Sequence, residues 1–200
     1  MNLRAIEEIK GFMPPNEGMA LMNWAKKFSN IGQILEIGTY CGKSSIYLSI
    51  GAKHNNKNVY TIDHHRGSEE HQLNEEYFDE EIYDKTKNVI NTLPLLIKNI
   101  NKFKITNIIP IVADSAKVSS NWSLKLGMVF IDGGHSYDSA NKDYISWESH
   151  IAKNGALVIH DIFENPDDGG QAPYEIYKKA LNNGFVLYER IETIACLIKS

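Results

Sequence analysis

The chain has 200 residues, 42% of them hydrophobic, which suits one domain with a sizeable core. Basic and acidic residues nearly cancel, 21 against 25 for a formal charge of −4, and no block of like charge dominates, which argues against nucleic acid as a partner. Cys41 and Cys196 are too few for a disulfide framework and read as reduced thiols of a cytoplasmic protein; the N-terminus has no apolar signal core, and no stretch approaches the ~20 apolar residues of a membrane span.

In chain order, residues 2–10 and 17–28 predict two helices divided by Pro14-Pro15, which stops one and opens the next. Trp24 and Phe28 stand at i and i+4 and make one apolar face. These N-terminal helices, residues 1–30, are expected to pack on or cap the domain formed by 31–200, and they leave a homodimer open. From residue 34 onward short β-branched runs (34–37, 59–62, 108–112, 128–131, 156–159) alternate with helical patterns (43–50, 86–103, a short one at 115–120, 137–151, 174–183). That punctuation predicts an α/β fold, a parallel sheet covered by helices. Runs such as Met128-Val129-Phe130-Ile131 are apolar without alternation, as strands buried on both faces should be. The runs 185–191 and 193–199 are separated by Glu192 alone; no crossover helix fits there, so the two must pair antiparallel. Residues 64–85 form a long, charge-rich insertion, a candidate lid or substrate loop containing His64, His65, Arg66 and His71. With residues 167–174 it supplies the candidate substrate walls.

The first strand leads into Glu36-Ile37-Gly38-Thr39-Tyr40-Cys41-Gly42-Lys43-Ser44-Ser45. Gly38 permits a sharp turn, and Gly42 permits close approach of backbone to a ligand. A dinucleotide fingerprint needs glycine where Tyr40 stands, which disfavours pyrophosphate, and the spacing from Gly38 to Lys43-Ser44 falls short of a phosphate-binding loop. Glu36, an acid in an apolar strand, needs a partner: a cationic ligand or a ring of backbone donors. Asp63 ends the second strand, where an acid accepts hydrogen bonds from ribose hydroxyls. Asp132 and His160-Asp161 end the fourth and fifth, and such strand ends lie over one crevice. Two carboxylates and an imidazole there could hold a divalent cation, Mg²⁺, Mn²⁺ or a similar ion, with the imidazole tilting the choice toward Mn²⁺, Fe²⁺ or Zn²⁺. His135 follows the Gly133-Gly134 turn, and an imidazole can take a proton near neutral pH.

The series Glu36-x-Gly38-x-x-x-Gly42, Thr61-Ile62-Asp63, Ala113-Asp114-Ser115 and Phe130-Ile131-Asp132-Gly133-Gly134-His135 resembles class I S-adenosylmethionine-dependent methyltransferases. Within them it resembles the I-D-G-x-H-x-Y group, related to metal-dependent O-methyltransferases of natural-product and catechol type, over about residues 16–199. The resemblance implies a Rossmann-like three-layer sandwich: a seven-stranded, mostly parallel sheet with an antiparallel C-terminal hairpin. It implies methyl transfer from S-adenosylmethionine to an oxygen of a small-molecule acceptor. Carried over, Glu36, Gly38 and Gly42 line the methionine end of the cofactor, with Thr39 and Ser44 on the same turn. Asp63 binds ribose with His64 beside it, and Asp114 and Ser115 flank adenine. Asp132 serves the cofactor and the reaction, His135 is the general base, and Asp132, His160 and Asp161 are the metal ligands. The resembling enzymes carry acids at both of the last two positions, and His160 departs from that pattern; Asp143 reads as a structural acid. Two other readings use the same residues. One is a nicotinamide-dependent oxidoreductase, against which Tyr40 and the closing hairpin speak. The other is a non-catalytic module that keeps the cofactor turn but does not converge His135 and Asp161.

Overall fold

The β-branched runs of the sequence line up as the central strands of one sheet. The computed structural model describes residues 3–68, 72, 73, 75, 78–134 and 136–200. Its elements are α1 (Pro15–Phe28), β1 (Gln33–Ile37), α2 (Lys43–Lys53), β2 (Val59–Asp63), β3 (Tyr83–Asp84), β4 (Val89–Ile90), α3 (Leu93–Lys102), β5 (Ile108–Val112), α4 (Ser115–Ser119), β6 (Leu126–Ile131), α5 (Tyr137–Trp147), β7 (Ile151–Ile159), α6 (Ala172–Asn182), β8 (Phe185–Ile191) and β9 (Ile194–Lys199). Seven strands make the main sheet in the order β5-β2-β1-β6-β7-β9-β8. All neighbours are parallel except β9, which is antiparallel to both β7 and β8.

The sheet is the middle of three layers. Ile34, Met128, Phe130 and Val158 face one way and share a core with Leu21, Trp24, Phe28 and Ile46, beside α1, α2 and α3. Their chain neighbours Leu35, Ile37, Val129, Ile131 and Leu157 face the other way, against Ala140, Tyr144, Trp147 and Ile176 of α5 and α6. Each strand residue thus has an apolar neighbour whichever way it points, which is why these runs do not alternate. Burial of each large side chain contributes roughly 1.5–3 kcal/mol. The chain leaves β1 toward β2 and β5, then returns on the other side of β1 as β6. The carboxyl ends of β1 and β6 therefore flank the switch point where ligands bind in such sheets.

Several boundaries differ from the sequence expectation. Among the described residues of 2–10, only Leu3–Ile6 form a helical turn, a 3₁₀ turn. The segment instead drops Ile6, Ile9 and Met13 into the core, each at most 4% exposed. Residues 86–103 do not make one helix. The side chain of Asp84 accepts from the backbone of Thr86 and Lys87, Asn88 takes a left-handed φ of 55°, and the turn so formed pairs β3 with β4. The helix begins only at Leu93, with Pro94 in its first turn. Strand β7 starts at Ile151 rather than 156, ahead of a register irregularity against β6. No helix among the described residues is long and apolar enough to cross a membrane.

Candidate active site

The turn after β1 is built by close backbone approach. Gly38 has φ +87°, and a Cβ there would lie 1.9 Å from the Asp132 carbonyl oxygen. Gly42 has φ +88°, and a Cβ would meet Leu96 Cδ1 at 2.5 Å. Tyr40 between them is also left-handed, with φ 48°, and its ring lies 6.0 Å from that of Phe12. The carboxylate of Asp63 holds this turn from β2: its Oδ2 accepts from the amides of Thr39 and Tyr40, both at 2.9 Å, and its Oδ1 from the amide of His65 at 2.6 Å. A carboxylate oxygen can accept more than one donor, so Asp63 both shapes the turn and keeps capacity for a ligand hydroxyl.

Glu36 lies under the turn with no exposed surface. Its partners are neither a cation nor backbone amides but three hydroxyls: Ser44 at 2.6 Å, Thr61 at 2.5 Å, and Ser45. Ser44 and Ser45 are on the first turn of α2 and Thr61 is on β2, so Glu36 joins three elements beneath the glycine turn. Burial pushes its carboxyl up to about 7 against the pull of those hydroxyls. The folded chain therefore holds this proton more tightly than the unfolded chain, whose Glu titrates near 4.3. The stability it contributes is complete below about pH 4 and is lost as pH rises toward 7, by roughly 3–4 kcal/mol. A Glu36→Gln variant is expected to lack that slope. Denaturant unfolding between pH 4.5 and 7.5 should show it gaining on the parent as pH rises; parallel curves would contradict this.

The opposite wall is made by the ends of β6 and β7. His160 is 4% exposed. Its Nδ1 lies 3.0 Å from Asp132 Oδ1 and 3.4 Å from Asp161 Oδ1, and its Nε2 lies 2.8 Å from Glu17 Oε2. Burial alone would lower the His160 pKa, but the Asp132 charge and hydrogen bonds to Asp132, Asp161 and Glu17 raise it well above the ordinary value. Burial works against ionisation of Glu17 too, yet His160 and Thr193 hold its carboxyl below the usual range. Asp161 sits in the left-handed region with φ 58°, a conformation that costs a non-glycine residue energy and gathers at functional sites. One ligand atom from each of Asp132, His160 and Asp161 falls within 4.8 Å of the others.

The remaining predicted residues spread along the same sheet edge. Asp114 caps α4, accepting from the Lys117 amide, and pairs with Lys142 at 2.8 Å. Ser115 donates to Asp143, a buried acid whose pKa burial pushes up to about 6. Thr39 bonds Thr61. His64 is exposed and 3.9 Å from Asp63, accepting from the Arg66 amide. His65 turns inward, and its Nδ1 meets the Thr92 hydroxyl at 2.7 Å. The start of the chain meets the end of the insertion beside the glycine turn: Lys10 pairs with Asp79 and Glu81, and Glu7 with Lys43 and Tyr47. His135 and His71 lie outside the described residues. Sequence reasoning missed Thr61, Ser45 and Glu17. The available signal for Glu17 was a charge on the apolar stripe of α1, with Leu21, Trp24 and Phe28.

Residues 35–162 match the protein family described as a methyltransferase domain. Solved structures share the fold at low identity. The SAH-bound methyltransferase PaMTH1 of Podospora anserina superposes with a TM-score of 0.67 at 11% identity, over 99% of this chain and 86% of that one. The O-methyltransferase TomG of Streptomyces achromogenes, in complex with SAM, gives 0.62 at 14%, over 98% and 86%. An O-methyltransferase from Bacillus cereus in complex with SAH gives 0.60 at 14%, over 98% and 87%.

Proposed function

The chain belongs to the methyltransferase-domain family, and from that premise we propose that it moves a methyl group from S-adenosylmethionine to an oxygen of a small-molecule acceptor. The observation that carries this reading is the crevice at the switch point: a glycine turn held by Asp63 on one side, and Asp132, His160 and Asp161 on the other. The SAM and SAH bound to the TomG, PaMTH1 and Bacillus cereus structures, and the O-methyltransferase activity named for two of them, support it. Tyr40 favours it over a nicotinamide oxidoreductase, because its side chain stands where a dinucleotide turn needs glycine.

S-adenosylmethionine supplies a sulfonium methyl that is open to in-line attack. The residues of the chain set up that attack. The 38–42 turn receives the methionine end and Asp63 the ribose hydroxyls, while Asp114 and Ser115 flank the adenine. The acceptor hydroxyl loses its proton to His135, its oxygen bonds the methyl carbon, and the carbon–sulfur bond breaks. Holding both reactants in line removes much of the entropic barrier. The donor set of Asp132, His160 and Asp161 fits a divalent cation, two carboxylates and one imidazole converging with Asp132 and Asp161 partly exposed; such an ion lowers the pKa of an acceptor hydroxyl. Specificity is assigned to residues 64–85 and 162–173, which follow β2 and β7 in the chain.

The reading is tested with isotopically labelled S-adenosylmethionine and a panel of catechols, phenols and sugars. Label should appear on oxygen, and His135→Ala should lose roughly 10²–10⁴-fold in rate. Exhaustive chelation should suppress transfer. Absence of label from every one of these acceptors would overturn the acceptor class, full turnover by the variant would remove the base, and indifference to chelation would remove the cation.

A further inference from the structure

We propose that Glu17, on α1, is a positioning residue that makes His160 a nitrogen ligand of the cation site; this rests on reading Asp132, His160 and Asp161 as that site. Glu17 lies outside the matched segment 35–162, so the N-terminal helix supplies part of the site rather than only covering the sheet.

The hydrogen-bond pattern carries the argument. Glu17 has no exposed surface. Its Oε1 accepts from both the amide and the hydroxyl of Thr193, each at 2.7 Å, and its Oε2 faces His160 Nε2 at 2.8 Å. Glu17 thus holds the Nε2 side of the ring, and Nδ1 is the nitrogen that faces Asp132 and Asp161. With both ring nitrogens against carboxylates, a cation would take the place of the proton that Nδ1 shares with Asp132, while Nε2 keeps its hydrogen toward Glu17. A buried carboxylate behind a ligating imidazole fixes both its tautomer and its ring orientation. The imidazole in turn selects ions that take nitrogen, such as Zn²⁺, Mn²⁺ or Co²⁺, over Mg²⁺.

Glu17→Gln tests this because the two side chains have the same shape. The Thr193 amide can only donate, so the carbonyl oxygen of the substituted side chain must face it. The NH₂ group of that side chain then points at His160 Nε2 and forces that atom to accept. The ring hydrogen moves to Nδ1, which can no longer bind a cation. Co²⁺ titration followed by visible absorption should show binding roughly 10–100-fold weaker in the variant, with Mg²⁺ affinity little changed. Nitrogen NMR of the unsubstituted protein loaded with Zn²⁺ gives an answer even if the variant does not fold: Nε2 of His160 should keep its hydrogen and Nδ1 should carry the metal shift. Co²⁺ affinity unchanged in a folded variant, or Zn²⁺ on Nε2, would overturn the role of Glu17. An unsubstituted protein that binds none of these ions would instead overturn the cation site itself, and the proposal with it.

Discussion

Gly38→Ala is expected to cost more than ~4 kcal/mol of folding stability and to abolish cofactor binding. The added Cβ would sit 1.9 Å from the Asp132 carbonyl oxygen and 2.5 Å from its carbonyl carbon. Both are backbone atoms in the centre of the sheet, where β1 and β6 are paired in register through Ile37 and Ile131, so neither strand can retreat without breaking the ladder. The φ of +87° adds a conformational penalty. Gly184→Ala separates the two effects, since Gly184 has φ +89° but nothing within 4 Å of its Cβ position; it should lose only ~1 kcal/mol. Chemical denaturation of both variants checks this. A Gly38→Ala protein as stable as Gly184→Ala would show that the close approach is not obligatory.

Asp132→Asn is expected to lower kcat/KM by roughly 10²–10³-fold, about 3–4 kcal/mol of transition-state stabilisation, while leaving the fold intact. Asp132 follows β6 directly, lies across from the glycine turn, and offers Oδ1 to His160. Asparagine keeps its shape, and Glu17 and Asp161 remain near His160, so the loss should fall on chemistry rather than on folding. Methyl-transfer kinetics alongside thermal melts measure both. Turnover within about threefold of the parent, under ~1 kcal/mol, would take Asp132 out of the reaction.

The central sheet was legible because strands buried on both faces leave unbroken apolar runs, as at 128–131 and 156–159. The hairpin was legible because Glu192 leaves no length for a crossover. The β3–β4 hairpin was not, since it depends on one Asp84 side chain and the left-handed φ of Asn88 rather than on periodicity. At the site, residue types were legible but partners were not. Glu36 was expected to meet a cation or amides, and three hydroxyls answer it instead. Asp63 was expected to meet ribose, and it also holds the amides of Thr39 and Tyr40. The Glu17–His160 contact joins residues 143 positions apart, a separation at which spacing carries no information. The role of His135 stays with the sequence resemblance, as that residue lies outside those described.

Calorimetric titration of the protein with S-adenosylhomocysteine, with NAD as the comparison, tests the reading of the 38–42 turn most directly. Saturable one-to-one binding of S-adenosylhomocysteine, no heat with NAD, and marked weakening on Asp63→Ala is the predicted outcome. Binding of NAD alone would contradict it.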